Sequence, residues 1–164
     1  MSNEEGSRYQ VSTQTASMLT GKNVRTLQRW QSEKGIQATQ VDSGRRGVGT
    51  VKLMIDLSSL APYIPVPLDD AKMKRIAVAD TGDADAQNDV GLYFFMAEEY
   101  GIAFSWFEAA ASKGHADAMD WLAACYLKAY GVSGSPALGL KWLGEAAAHG
   151  HAIAQFKIDS MNLK

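Results

Sequence analysis

The sequence predicts a mainly α fold, in which a small α+β unit is followed by an α/α solenoid of short helical repeats. Two short runs with helical spacing, joined at a glycine, lie near the start of the chain, and two strand-like runs follow them around a Gly-rich turn. The second half repeats segments with Trp, Ala and Gly at matching positions. A chain of 164 residues, 46% of them hydrophobic, is sufficient for one ordinary domain or two small ones.

The first predicted element is a pair of helices between residues 12 and 34. Ser12 and Asn23 are expected to cap the two helices, and Gly21 to form the turn between them. The inward face of the first helix is predicted to carry Thr15, Met18 and Leu19. Residues at i, i+3, i+6 and i+7 are expected to form the buried face of the second helix, namely Val24, Leu27, Trp30 and Gln31.

The opposite face of the second helix carries Arg25, Gln28, Arg29 and Ser32. Long donor side chains in this arrangement are typical of a helix that reads the major groove of DNA, where Arg binds guanine or phosphate and Gln binds adenine. Lys22 and Asn23 fall at the N-terminus of the helix, a position that favours phosphate. The competing interpretation is an ordinary helical hairpin with a solvated charged face.

A β-hairpin is predicted next, with strands at Ile36–Val41 and Val48–Ile55. Arg45 and Arg46 lie between glycines at its tip, where two adjacent cations have no use in folding but can reach a phosphate backbone or a minor groove. Asp56–Leu60 is expected to form a capped helical turn that closes the unit. The exit from the unit is stiffened by Pro62, Pro65 and Pro67.

These residues resemble known winged helices. Leu19–Gly21 (LTG), Arg25–Leu27 (RTL) and Trp30 are similar to the start of the mercury-resistance-regulator (MerR) and phage excisionase winged helix-turn-helix domains. The segments GRRGVGTVKL and DLSSL are similar to the DNA-binding domain of Mu-type transposases and repressors, although Leu53 stands where those wings often carry an aromatic residue. The resemblance covers residues 9–64 and implies double-stranded DNA as a partner. The contacts it implies are Lys22, Asn23, Arg25, Thr26, Gln28 and Arg29 on the recognition helix, and Arg45 and Arg46 on the wing.

Charge is divided unevenly along the chain. The formal net charge is -2, but residues 8–55 hold eight Lys and Arg against Glu33 and Asp42. Residues 69–164 hold eight Lys and Arg against thirteen Asp and Glu. Only the first half is therefore expected to attract a polyanion such as DNA.

The second half contains an internal repeat. Similar segments start at Ala84, Ala116 and Ala152, so the period is 32 residues and then 36. A second pair of similar segments, WFEAAASKG and WLGEAAAHG, each begins with Trp and ends with Gly. Each unit therefore predicts a helix, a loop and a second helix that stops at Gly114 or Gly150.

The repeats resemble the SEL-one-like family, a relative of the tetratricopeptide repeat, over residues 82–159. The resemblance is carried by Gly82–Ala86, Gly91, Ala118, Leu122, Tyr126, Tyr130–Val132, Ala137, Lys141–Leu143, Ala146 and Ala147, with Ala123 in place of the usual glycine. It implies a protein partner. Because two repeats are too few to bury a continuous core, a capping helix is predicted at residues 70–80.

The resulting domain prediction has four parts: a disordered tail at 1–8, a winged helix-turn-helix at 9–64, a Pro-rich linker at 65–69, and a repeat domain at 70–164. The repeat domain is expected to comprise the capping helix, two full repeats and one truncated repeat.

Several kinds of site and segment are not expected. Residues 1–7 lack a signal-peptide pattern and no run of about 18 apolar residues exists, so a cytoplasmic protein without a membrane span is predicted. Cys125 lies in an apolar helical pattern and is expected to be a buried structural thiol. His115 and His151 occupy equivalent repeat positions, which favours a role in turns over metal binding. Without a nucleophile, base or phosphate loop, no enzyme and no cofactor is predicted.

An excess of aromatic residues is left for an additional role. Most of these residues are expected in the core, and the remainder to seat the winged helix or to form a self-association surface. The group comprises Tyr93, Phe94, Phe95, Tyr100, Phe104, Trp106 and Phe107.

The leading hypothesis is a sequence-specific DNA-binding regulator whose repeats mediate protein–protein interaction or self-association as a homodimer. One alternative is an interaction adaptor in which the winged helix docks to protein. Another is an accessory factor of a mobile element that bends DNA.

Overall fold

The computed structural model describes residues 9–42 and 51–162. The chain divides into two compact units, Met1–Asp80 and Thr81–Lys164. The described residues are mostly helical and include one small three-stranded sheet, which confirms the predicted mainly α class.

The first unit combines the sheet with four helices. Its elements are β1 (Gln10–Ser12), α1 (Thr13–Thr20), α2 (Val24–Glu33), β2 (Ala38–Asp42), β3 (Val51–Asp56), α3 (Leu57–Leu60), a 3-10 turn (Ala61–Tyr63) and α4 (Asp70–Asp80). The sheet is antiparallel with strand order β1-β3-β2, so β3 is central. Ile55 pairs with Val11 on one side and Ala38 on the other, and it is fully buried. The β2–β3 hairpin agrees with the predicted strands, and its tip, with Arg45 and Arg46, lies outside the described residues.

The predicted caps of the helix pair are confirmed. The hydroxyl of Ser12 accepts the Thr15 N–H at 3.2 Å, and Oδ1 of Asn23 accepts the Thr26 N–H at 2.8 Å. Gly21 has φ 64°, a left-handed conformation that glycine adopts without steric cost. The sequence therefore determines both the start of each helix and the turn between them.

One residue of the predicted buried face of α2 was placed wrongly. Leu27 and Trp30 are buried as expected and Gln31 is half-buried, but Val24 is 40% exposed. Val24 is the first residue of the helix. Because a helical side chain leans toward the N-terminus, it extends over the preceding turn and away from the core.

Helix α4 confirms the helix predicted at residues 70–80, but it belongs to the first unit. Oδ1 of Asp80 accepts both the Ser12 N–H, at 3.1 Å, and the Ser12 hydroxyl, at 2.5 Å. The Tyr9 hydroxyl donates to Oδ2 of Asp70 at 3.3 Å. These bonds join the two ends of α4 to β1 and its flank, and the resulting grouping differs from the expected domain boundary at residue 70.

The second unit consists of two helix pairs followed by a single helix. Its elements are α5 (Ala84–Met96), α6 (Tyr100–Ala111), α7 (Ala116–Lys128), α8 (Pro136–Ala148) and α9 (Ala152–Asn162). Gly82, Gly114 and Gly150 precede α5, α7 and α9 with φ values of 98°, 88° and 87°. The predicted order of helix, loop and helix, with glycine stops, is therefore confirmed.

Large aromatic residues fill the core of the second unit. Trp106, Phe107 and Phe94 are at most 1% exposed. Gly91 lies against the ring of Phe107, where an added Cβ would come within 2.6 Å of a ring carbon. Small residues on α5 therefore let the two helices of the first pair approach closely.

Among the described residues, no helix is both long enough and apolar enough to cross a membrane.

Candidate functional site

The exposed face of α2 carries the side chains predicted to contact DNA. Arg25, Gln28, Arg29 and Ser32 are exposed, and Leu27 and Trp30 anchor the opposite face in the core. The structure therefore presents these polar residues together on one surface of a helix that the unit holds firmly.

The N-terminal end of α2 is also ordered by specific contacts. Lys22 and Asn23 are exposed, whereas Thr26 is half-buried. The Ser17 hydroxyl donates to the carbonyl oxygen of Lys22 at 2.5 Å, which fixes the turn before the helix. A positively polarised helix end and the cation Lys22 are thus both accessible to an anion.

Glu33 moderates the positive charge of this surface. Its Oε2 lies 3.4 Å from Nε of Arg29, one turn away on α2, and both side chains are more than half exposed. An exposed pair of this kind contributes little to stability and leaves Arg29 available for other partners.

Two cations of the first unit were not included in the sequence prediction. Nζ of Lys34 lies 4.4 Å from the ring centre of Trp30 and 4.6 Å from that of Tyr63, so it covers an aromatic pair at the C-terminal end of α2. Lys52 is exposed on β3, opposite Val41. Lys52 lay in a predicted strand of alternating residues, which was the available signal; Tyr63 lies 33 residues from Trp30 in sequence, so no local pattern indicated that pair.

In the second unit, equivalent residues cap the first helix of each repeat. Oδ1 of Asp83 accepts the Ala86 N–H at 2.7 Å. At the matching positions, Nδ1 of His115 accepts from Ala118 at 3.2 Å, and Nδ1 of His151 accepts from Ala154 at 3.0 Å. Both histidines thus have a structural role at a turn, as the repeat alignment predicted.

Each histidine also contacts the preceding repeat. Nε2 of His115 lies 3.2 Å from Oδ1 of Asp85, and Nε2 of His151 lies 3.3 Å from Oδ1 of Asp117. In the described part of the chain, no group of three or more His, Cys, Asp or Glu is placed to hold a metal ion. The His–Asp pairs therefore join neighbouring helices α5, α7 and α9.

A mostly apolar groove of about 170 Å³ lies between α7, α8 and α9. Nζ of Lys157 donates to both carboxylate oxygens of Asp120 at 2.7 Å, and this ion pair forms part of the groove wall. The remaining lining residues are Ala123, Ala124, Leu127, Lys128, Leu143 and Met161. Such a groove can accept an apolar side chain of a partner, with a cation at its edge.

The aromatic excess is partly used between repeats. Phe94, Trp106 and Phe107 are buried, as expected for core residues. Phe95 contacts four rings, with centroid distances between 4.8 and 6.2 Å, and two of these rings come from the following repeat. The four are Tyr100, Phe107, Trp121 and Tyr130.

Cys125 is fully buried, as predicted for a structural thiol. Burial raises the pKa of the Cys125 thiol to about 11, so the thiol is protonated at neutral pH.

Comparison with known proteins gives a limited result. No protein-family model matches the chain, and no curated protein matches it. Among solved structures, the chain is similar to the crystal structure of a Sel1 repeat protein from Oxalobacter formigenes, with 29% sequence identity and a TM-score of 0.49. The match covers 52% of this chain and 36% of that one, so this chain matches little more than a third of the length of that protein.

Proposed function

We propose that this chain is a non-enzymatic interaction protein, in which the helical repeats of the second unit bind a protein and the first unit binds duplex DNA as a sequence-reading regulator. The observation that carries the DNA part is the exposed row Arg25, Gln28, Arg29 and Ser32 on α2. The row lies on a helix whose other face is anchored by Leu27 and Trp30.

The repeat unit supports protein binding through its groove and its exposed apolar residues. Leu127 is 39% exposed at the groove between α7, α8 and α9, and Leu138 and Leu140 on α8 are 40% and 49% exposed. Apolar residues that are clustered and exposed mark sites of protein contact more often than isolated ones do. The groove fits an apolar side chain, and Lys128 at its edge favours an acidic neighbour on that partner.

Contacts to DNA are proposed for both kinds of polar residue on α2. Lys22, Arg25 and Arg29 supply phosphate contacts, which contribute most of the affinity and do not depend on sequence. Gln28 can donate to and accept from the edge of adenine, which makes it the candidate for reading sequence. Thr26, Asn23 and the two wing residues Arg45 and Arg46 complete the proposed interface.

A second candidate function is an adaptor whose first unit docks to protein. The observation that favours it is the exposure of three valines in the first unit. Val24 on α2 is 40% exposed, and Val41 and Val51 on the β2–β3 hairpin are 45% and 60% exposed. The Arg29–Glu33 ion pair also lowers the net positive charge of the α2 surface.

Selection from genomic DNA separates these two functions. The purified chain is mixed with sheared DNA of its source genome at moderate salt, and the bound fragments are sequenced. Enrichment of a few sites that share a motif supports a sequence-reading regulator. Uniform recovery, or none, would favour the adaptor. The Gln28→Ala variant should recover a broader set of sites, because it removes a base contact while leaving the phosphate contacts in place.

A further inference from the structure

The outward face of the last helix, α9, carries large apolar side chains that nothing in the described chain covers. Ile153 is 61% exposed and Phe156 is 71% exposed. They are three residues apart and therefore lie on the same side of the helix. Ser160, which is also exposed, continues this side one turn further on.

The repeat alignment shows what this side of the helix does elsewhere in the array. Asp85 on α5 and Asp117 on α7 precede Ile153 at the equivalent position, and each contacts the histidine that caps the next first helix. The position that faces the following repeat is thus acidic in the first two repeats. In the last repeat it is isoleucine.

The second position follows the same rule. Phe156 is equivalent to Asp120, which binds Lys157 of the following helix through two hydrogen bonds at 2.7 Å. It is also equivalent to Asn88 on α5, which is buried. Both positions that face onward are therefore polar inside the array and apolar at its end.

A further repeat of the same pattern does not fit this end. It would bring a capping imidazole to Ile153, where its Nε2–H would have no acceptor, at a cost of about 1–3 kcal/mol for a buried unpaired donor. An identical apolar face needs no such acceptor. The stacking series of α5, α7 and α9 can thus be continued by a second copy of α9.

We propose that two copies of this chain associate through α9, with the two helices antiparallel across a two-fold axis. The face Ile153, Phe156 and Ser160 is centred between residues 156 and 157, near the middle of Ala152–Asn162. Antiparallel packing therefore places both Phe156 rings near the axis and each Ile153 opposite Ser160 of the second copy, so that a large residue meets a small one.

The polar groups around this face are already satisfied. The Ser160 hydroxyl donates to the carbonyl oxygen of Phe156 at 2.7 Å. Nε2 of Gln155 donates to Oδ1 of Asp159 at 2.8 Å, and Lys157 is held by Asp120. No charge of α9 described here must be buried unpaired when two such faces meet.

The contact is small, since it uses one side of an 11-residue helix. Specific interfaces of standard size bury roughly 1,200–2,000 Å². A single helix pair lies below this range, so the dimer is weak and dissociates at micromolar concentrations. This association goes beyond the proposed function, because it does not depend on whether the first unit binds DNA.

Sedimentation equilibrium of the full chain across micromolar concentrations tests the proposal. The wild type should change from monomer to dimer as concentration rises. Phe156→Glu places two carboxylates at the axis and should raise the dissociation constant at least about tenfold. Ile153→Asp, which restores the acidic residue of the earlier repeats, should weaken the dimer in the same direction.

Met96→Glu is the matched control, because Met96 is 81% exposed at the end of α5 and takes no part in the proposed contact. This variant should associate like the wild type. Circular dichroism of each variant shows that its helices are retained; the altered side chains are exposed, so folding should persist. A wild type that stays monomeric, or a dimer weakened equally by Met96→Glu and Phe156→Glu, would overturn the proposal.

Discussion

Nε2 of His151 lies 3.3 Å from Oδ1 of Asp117, while Nδ1 of the same ring accepts the N–H of Ala154. Because Nδ1 is an acceptor, the proton of the neutral ring is on Nε2 and points at the carboxylate. One imidazole thus caps α9 and joins it to α7. His115 and Asp85 repeat this arrangement one repeat earlier.

Removing a histidine cap should lower stability. His115→Ala loses the acceptor for the Ala118 N–H and the contact with Asp85, and we expect a loss of about 1 kcal/mol in the free energy of unfolding. His115→Asn keeps a capping acceptor and should lose less. Urea unfolding followed by circular dichroism measures both. Equal losses for the two variants would show that the cap is not the stabilising contact.

Gly131 should not tolerate a side chain. Its φ is 67°, and an added Cβ would lie 2.3 Å from the backbone carbon of Tyr100. Gly131→Ala is therefore expected to cost several kcal/mol, because the backbone of two loops would have to move apart.

Gly144→Ala provides the matched control for Gly131→Ala. Gly144 lies inside α8 and an added Cβ there meets nothing within 4 Å. Alanine should stabilise this helix by roughly 0.5–1 kcal/mol. Thermal unfolding of the two variants should thus shift in opposite directions. A shift in the same direction would contradict the close approach of Gly131 to Tyr100.

Cys125 should make stability sensitive to high pH. Burial raises the pKa of the thiol from 9.0 to about 11, so the folded state holds its proton more tightly than the unfolded state does. The stabilisation from this group is therefore complete below about pH 9 and is lost as the pH rises toward 11. The stability difference between wild type and Cys125→Ala should shrink over this range in denaturant titrations. A difference that stays constant with pH would show that the thiol does not titrate with unfolding.

Local chemistry predicted much of the fold. Ser12 and Asn23 were expected as caps and Gly21 as a turn because each follows from side-chain or backbone geometry within a few residues. The repeats were predicted because the same residues recur at a fixed spacing. The hairpin followed from two strand-like runs around a Gly-rich turn.

Features that depend on distant contacts were not predicted. Strand β1 has only three residues, too few for a periodic pattern, and its place in the sheet depends on pairing with β3, more than 40 residues away. The grouping of α4 with the first unit depends on the bond between Asp80 and Ser12, 68 residues apart. The His–Asp pairs likewise join separate repeats, although the spacing of GHADA in the sequence places both partners. The proposed DNA contacts of Arg45 and Arg46 fall outside the described residues and stay a prediction.

Salt-dependent binding to duplex DNA tests the proposed role of α2 most directly. The affinity of the full chain for a duplex is measured by fluorescence anisotropy at several salt concentrations, for the wild type, Arg25→Ala and Lys74→Ala. Lys74 is the control because it is an exposed cation of the same unit that lies on α4. The proposal predicts that wild-type affinity falls steeply with salt and that Arg25→Ala lowers the slope by about 0.9, the value for one phosphate contact, while Lys74→Ala leaves it unchanged. Wild-type binding that is absent or insensitive to salt, or equal effects of the two substitutions, would contradict DNA binding through α2.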